Sequence, residues 1–168
     1  MSNSPVARVV RHLLWPRWLT NRAFPAAMRA RIGRAVAAAE QGHSGEIRFV
    51  VEGALDPLPL VRGETARGRA LDVFSRLGVW DTQANNGVLV YLLLADRDVE
   101  ILADRGFNDK VSGQEWEAVC REMEAHFARG EFEAGALAGI ARVAGLVRRH
   151  FPVAGPDPDE LPNPPALL

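Results

Sequence analysis

The sequence predicts an α/β fold, a three-layer α/β/α sandwich around a small mixed β-sheet. Hydrophobic periodicity along the chain indicates the element order α, β, α, β, β, α, α. The second strand, residues 88–94, is an unbroken apolar run, which is typical of a strand covered on both faces. A right-handed crossover through a helix makes the first two strands parallel, and a short polar turn makes the next pair antiparallel. Helices are therefore expected on both sides of the sheet.

The first half of the chain alternates helix with strand. Residues 24–41 carry apolar side chains at helical spacing, and Pro25 fits the first turn, where its missing N–H costs nothing. Residues 45–52 predict the first strand, because apolar side chains occupy every second position. Residues 64–77 return to helical spacing and predict the second helix.

The second half begins with the hairpin and ends with two helices. After the polar turn at residues 95–98, residues 99–103 form the returning strand. Ser112 and Glu115 have the spacing of a capping box, in which each side chain binds a free backbone N–H at the start of the third helix. The last helix is predicted over residues 131–150, which bury one apolar face.

These elements make one α/β domain, residues 23–151, with a segment on either side. The N-terminal arm, residues 1–22, is rich in Arg and Trp. The C-terminal segment, residues 152–168, holds six of the eleven prolines and is predicted to be a disordered tail. Charge separates the ends: the first 39 residues carry seven arginines and no acid, and the remainder carries a balance of -8.

The basic arm has two interpretations. Its arginines could bind the headgroups of an anionic membrane surface, with Trp15, Trp18, Leu13 and Leu14 at the acyl boundary. Alternatively, the arm packs back onto the acidic domain, because two neighbouring Trp side chains are costly to leave in water. The second interpretation is favoured.

The cysteine count, the apolar runs and the net charge limit which cellular compartment and which partners are expected. Cys120 is the only cysteine, so no intrachain disulfide can form. No stretch has the roughly 18–20 apolar residues of a membrane span, and charged residues interrupt the apolar start that a secretory signal needs. We expect a cytoplasmic protein, peripheral to the membrane if the arm binds lipid. The net charge of -1 gives no argument for nucleic acid.

Candidate chemistry is confined to the ends of the strands. No nucleotide-binding or nucleophile motif is present. The start of the second strand and the end of the third should meet at one edge, which gathers Asp81, Asn85, Asn86, Asp104 and Arg105. The first four offer oxygen ligands that suit Ca²⁺ or Mg²⁺, and Arg105 could bind a phosphate or carboxylate of a substrate. The alternative is that these residues only form turns and that their charges are solvated.

A second carboxylate cluster is predicted at the opposite edge of the sheet. It would consist of Asp56, Asp96 and Asp98.

A family resemblance supports the same fold. Four segments carry it in order: Gly-Glu-Ile-Arg-Phe-Val-Val at 45–51, Asn-Asn-Gly-Val-Leu-Val-Tyr at 85–91, the returning strand and glycine turn at 98–107, and the joint at 127–135. Between about residues 24 and 151, the chain resembles the TPM-domain family, the thylakoid lumen phosphatase-like domain. It departs from the family pattern in lacking an acid before the first helix.

The resemblance implies divalent-cation binding and acid phosphatase activity for some members, and an accessory role at a membrane for others. Two hypotheses follow for this chain. The favoured one is a non-catalytic interaction or accessory module that binds a protein partner or a membrane-bound complex, because no base or nucleophile can be identified. The alternative is a cation-dependent phosphomonoester hydrolase acting at the strand-end edge.

Overall fold

The computed structural model describes residues 4–153 and 159–168. Its elements follow the predicted order and add three short helices and a fourth strand. They are α1 (Pro5–Leu13), α2 (Arg17–Ala23), α3 (Ala26–Glu40), β1 (Ile47–Glu52), α4 (Pro57–Val61), α5 (Ala66–Arg76), β2 (Val88–Leu93), β3 (Asp98–Ala103), a 3₁₀ turn (Arg105–Phe107), α6 (Gly113–Ala128), α7 (Phe132–His150) and β4 (Ala166–Leu167).

The sheet has the strand order β3-β2-β1-β4. β1 and β2 are parallel, in the register Ile47↔Val88, and α5 forms the crossover between them. β2 and β3 form an antiparallel hairpin, in the register Leu92↔Val99. Both predicted pairings are therefore confirmed. β1 and β2 lie in the middle of the sheet, and every residue of both strands is buried.

Helices cover both faces of the sheet, which confirms the α/β/α sandwich. On one face, α3, α6 and α7 enclose the larger core, in which Phe24 lies 5.6 Å from Phe132 and 6.4 Å from Phe127 between ring centroids. On the other face, α5 buries Ala70 and Val73 against β1 and β2.

The α5 side of β1 is charged as well as buried, which strand alternation in the sequence does not reveal. Glu46, Arg48 and Glu52 are all less than a tenth exposed. Glu52 accepts hydrogen bonds from Arg69, with Nε 2.9 Å and Nη2 3.0 Å from its carboxylate oxygens, and from the Tyr91 hydroxyl at 2.6 Å. The pair is satisfied, so it can be buried without leaving an isolated charge.

The prediction of a disordered tail is wrong for residues 159–168. The Leu161 N–H donates to the Glu46 carboxylate (3.1 Å), and the Arg48 guanidinium donates to the carbonyl oxygens of Pro162 and Pro164. β4 then pairs in parallel with β1. Buried charges on β1 need partners, and a proline-rich segment can supply carbonyl acceptors while lacking most of its own donors. The predicted tail also includes residues 154–158, which lie outside the described residues.

The N-terminal arm folds into α1 and α2 and packs on the domain. The Trp15 indole reaches the larger core and donates to Thr20 Oγ1 (3.0 Å), close to Gly53, where a Cβ would collide with Thr20. Trp18 remains 61% exposed. The inner side of the arm therefore packs on the domain, and its outer side faces solvent.

Among the described residues, none of the helices combines the length and apolar composition required to cross a bilayer.

Leu92→Asp should abolish folding. Leu92 is fully buried on the central strand β2, so the new carboxylate would lose its hydration without gaining a partner. The cost, roughly 5 kcal/mol or more, is comparable to the total stability of a small domain. Far-UV circular dichroism and thermal melting test this. The control is Leu71→Asp, at an exposed position on α5, which should melt like the wild type. A soluble Leu92→Asp variant with a cooperative melt would show that β2 is not central.

Candidate functional site

The predicted edge lies where β2 begins and β3 ends. The Asp104 N–H donates to the Gly87 carbonyl (2.9 Å), so the β2–β3 ladder continues past both strand ends. This pairing brings Asn85, Asn86, Asp104 and Arg105 to one end of the sheet, which we call the strand-end edge.

Asp81 stands apart from the other four predicted residues. It is exposed in the loop after α5, where its N–H donates to the Gly78 carbonyl (2.9 Å). Within the described residues, no hydrogen bond or ion pair joins Asp81 to the other four.

Asn85 and Arg105 hold the turn together. Asn85 adopts a left-handed backbone (φ 53°), and its Oδ1 accepts a hydrogen bond from Arg105 Nε (2.8 Å). Its carbonyl accepts the Gly106 N–H (2.9 Å). A Cβ at Gly106 would collide with that same carbonyl oxygen, which explains the glycine. The guanidinium of Arg105 is thus exposed but already oriented by Asn85.

Asn86 is completely buried and links β2 to the segment before β1. Its Nδ2 donates to the Ser44 carbonyl (2.7 Å), and its N–H donates to Thr82 Oγ1 (3.0 Å). Its Oδ1 has no hydrogen-bond partner among the described residues. A Cβ added at Gly45 would meet both Val147 of α7 and the Cβ of Asn86. Asn86 therefore lies on the α7 side of the sheet.

Asp104 is 9% exposed and caps the 3₁₀ turn. Its Oδ1 accepts the Arg105 N–H (2.7 Å), whereas Oδ2 is buried with no hydrogen-bond partner in the described part of the chain. Strand alternation places Asp104 on the same face as Leu102, which packs in the α5-side core. The two open oxygens, of Asn86 and Asp104, therefore belong to opposite faces. The edge offers one buried carboxylate, not a converging set, and cation binding by these residues stays a prediction.

The fold and this edge are shared with a known family. The model of the TPM domain matches residues 21–146. The chain belongs to the TPM-domain family. The predicted resemblance is confirmed, and it covers the core of the sandwich together with the strand-end edge.

Solved structures agree with this assignment. The NMR structure of the BA42 protein from the psychrophilic bacterium Bizionia argentinensis is 32% identical, with a TM-score of 0.74 over 84% of this chain and 93% of that one. The solution NMR structure of the N-terminal domain of a protein from P. gingivalis has a TM-score of 0.62 at 18% identity, covering 77% of this chain and 82% of that one, and shows the fold alone. None of the curated proteins matches the chain.

Two other groups of ionisable side chains in this TPM domain lie outside the five predicted residues. Burial raises the pKa of Cys120 to about 12, so the thiol stays protonated near neutral pH and is a poor nucleophile. Carboxylates of Glu40, Glu46 and Asp159 gather within 4.8 Å of one another, a cluster the sequence does not reveal because its members lie far apart in the chain. Glu40 accepts the Ile47 N–H (2.9 Å) and Glu46 accepts the Leu161 N–H, so both serve the backbone.

The second predicted cluster is where the arm attaches. Asp96, in the β2–β3 turn, accepts hydrogen bonds from Arg8 (2.8 Å) and Arg11 (2.9 Å), and the Nε2 of His12 lies 3.0 Å from its Oδ1. The His12 Nδ1 accepts the Leu55 N–H (2.9 Å), so its proton is on Nε2. Burial acts to raise the pKa of Asp96, but hydrogen bonds from His12, Arg11 and Arg8 together hold it below its ordinary value.

The sequence contained a signal for this attachment. Positions 8, 11 and 12 share one helical face and are all cationic. Asp56, the third member of the predicted cluster, is exposed at the N-cap of α4.

The outer side of the N-terminal arm lies away from this attachment, and the sequence alone did not separate it from the buried side. Among the described residues, eleven large apolar side chains are exposed; six of them lie on α1, α2 and α4, and a seventh, Leu14, directly follows α1. We call this set the N-terminal face: Val6, Val10, Leu13, Leu14, Trp18, Leu58 and Val61. Short helices carry little periodicity, so the split between buried and exposed arm residues required the tertiary structure.

Asp98→Asn should stabilise the domain above pH 6 and leave it unchanged below pH 4. Burial, followed by repulsion from Glu100, Glu124 and Asp96, raises the pKa of Asp98 to about 6. Its protonated form therefore favours folding, and this stability is lost as pH rises from about 4 through 6. Because Asp98 is half-buried, solvent screening limits the gain to about 1 kcal/mol. Urea unfolding across pH 4–8 measures this gain.

The matched control for Asp98→Asn is Asp109→Asn, at an exposed loop position. It should show no such pH-dependent gain. An equal gain in both variants would mean that general charge reduction, and not the site of Asp98, is responsible.

Proposed function

We propose that this TPM domain is a non-catalytic interaction module, an accessory domain that binds its partner through the N-terminal face. The observation that carries the proposal is the concentration of exposed apolar side chains on α1, α2, α4 and the α1–α2 joint, where seven of the eleven in the described residues lie. A contiguous exposed apolar surface of this kind marks interaction sites in folded proteins.

The strand-end edge supports the same conclusion by what its side chains already do. Arg105 is bound to Asn85, Asp104 Oδ1 is bound to the Arg105 N–H, and the Asn86 amide is bound to Ser44. These contacts shape a turn. Acid–base catalysis needs a positioned proton donor or acceptor facing an open site, and no pair of that kind is formed by the five predicted residues.

A cation-dependent acid phosphatase is the second candidate, and one observation favours it. Asp104 Oδ2 is a buried carboxylate oxygen without a hydrogen-bond partner among residues 4–153 and 159–168, next to the exposed Arg105. In this candidate, Ca²⁺ or Mg²⁺ would bind Asp104, with Asp81, Asn85 and Asn86 as further oxygen ligands. The cation would polarise a phosphoryl oxygen, and Arg105 would bind the phosphate.

Calcium and magnesium should bind only weakly at this edge. Tight oxygen-ligand sites collect several carboxylates, and one is consistent with dissociation constants of about a millimolar or above. Amide NMR titration tests this, with any shifts expected around Asp104 and Gly106 and absent in Asp104→Ala. Tight binding that survives in Asp109→Ala and disappears in Asp104→Ala would instead establish a dedicated cation site.

The purified domain should not hydrolyse p-nitrophenyl phosphate with either cation, at acidic or neutral pH. The reason is that the five predicted residues supply no positioned base and only one buried carboxylate, that of Asp104. A specific pattern of turnover would contradict this. Asp104→Ala would remove both turnover and cation affinity, and Arg105→Ala would raise KM more than it changes cation binding. That pattern would replace the interaction module with a phosphatase.

A further inference from the structure

The N-terminal face includes an apolar strip along α1. Val6, Val10 and Leu13 follow one another at positions i, i+4 and i+7 on the side of α1 that faces solvent. Leu14, which is 75% exposed, and Trp18, on α2, are the next exposed apolar side chains along the chain.

A second helix completes the strip beside α1. α4 packs against α1, and a groove of about 760 Å³ between them is lined by Val6 and Val10 on one side and Leu60 and Val61 on the other. Charged side chains also line this groove: Asp98, and Asp96 with its partners Arg8 and Arg11. The exposed Leu58 extends the α4 side. Two helices thus present apolar side chains to the same surface.

The charge on this face has one sign along the arm. Arg17 and Arg22 are exposed on α2 on either side of Trp18. Neither has an ion-pair partner in the described parts of the chain, whereas Arg8 and Arg11 are bound to Asp96. No acidic residue occurs before Glu40. Arginines next to exposed Leu and Trp side chains, without acids among them, complement an anionic surface that also offers apolar depth.

The fold holds this face in place. His12 and Arg8 fix α1 to the β2–β3 turn and the loop before α4, through Asp96 and the Leu55 N–H. Trp15 fixes the joint between α1 and α2 in the core. The face is therefore preorganised in the folded domain, and binding requires no ordering of a disordered segment.

We infer that the partner of the N-terminal face is an anionic lipid membrane surface, on which the domain lies peripherally. The inference rests on the proposed function and names its partner. Trp18, Leu13 and Leu14 enter the boundary between headgroups and acyl chains, while Arg17 and Arg22 bind lipid phosphates and carboxylates. A protein partner with an acidic apolar surface is the competing occupant, and the vesicle experiment separates the two.

Co-sedimentation of the full chain with vesicles tests the inference. Vesicles of phosphatidylcholine mixed with phosphatidylserine should bind the protein, vesicles of phosphatidylcholine alone should bind it at least about tenfold more weakly, and added salt should release it. Equal binding to both vesicle types, or no binding to the anionic vesicles, overturns the inference. Neither result depends on the phosphatase assay, so the inference and the proposed function fail separately.

Matched variants identify the face. Trp18→Gln should weaken binding about tenfold, and Trp80→Gln, at a Trp that is 53% exposed on the loop after α5, should not. Arg17→Gln combined with Arg22→Gln should weaken binding by about fivefold for each arginine. The same charge change at Arg76 and Arg121, on α5 and α6, should have a smaller effect.

Thermal melting confirms that each variant is folded, which is expected because all the substituted side chains are exposed. If the control variants lose as much binding as the N-terminal variants, the overall charge of the protein or non-specific hydrophobic adsorption explains the binding, and the inference is wrong.

Discussion

The complete burial of the parallel pair β1–β2 constrains the rest of this structure. Neither central strand has a solvent face, yet β1 carries Arg48 and Glu52, and the buried Glu46 directly precedes it. Each buried charge must be paired inside the protein or it would cost several kcal/mol. α5 contributes Arg69 to Glu52, and the C-terminal segment contributes backbone groups to the other two. Two distant parts of the chain are therefore fixed by the charge of one strand.

The same constraint explains where polar function can lie. With the central strands closed on both faces, polar side chains that face solvent are confined to the strand ends and to the surrounding helices. At the strand-end edge, Asn85, Asn86 and Arg105 are used to join β1, β2 and β3. At the other end of the hairpin, Asp96 fixes the N-terminal arm and leaves its outer side exposed to solvent.

Sequence periodicity predicted the seven main elements and their pairing, because long apolar patterns report burial directly, and four short motifs carried the TPM resemblance. It could not predict contacts that join distant segments. The Arg48 bonds to Pro162 and Pro164 span more than a hundred residues, so a proline-rich segment that looks disordered by composition is packed over residues 159–168. Trp15 and Trp18 are three positions apart, yet one is packed in the core and one is exposed. Four of the five predicted edge residues, Asn85, Asn86, Asp104 and Arg105, lie at one end of the sheet, but their side-chain partners required the structure.

The most direct measurement is hydrogen–deuterium exchange of the full chain with and without anionic vesicles, read by mass spectrometry. Binding through the N-terminal face should slow exchange in residues 5–23 and 57–61, where the exposed apolar side chains lie. Exchange around residues 85–87 and 104–106 should remain unchanged. Slower exchange at that edge without an effect on α1, α2 and α4 would contradict the assignment and place the functional surface at Asp104.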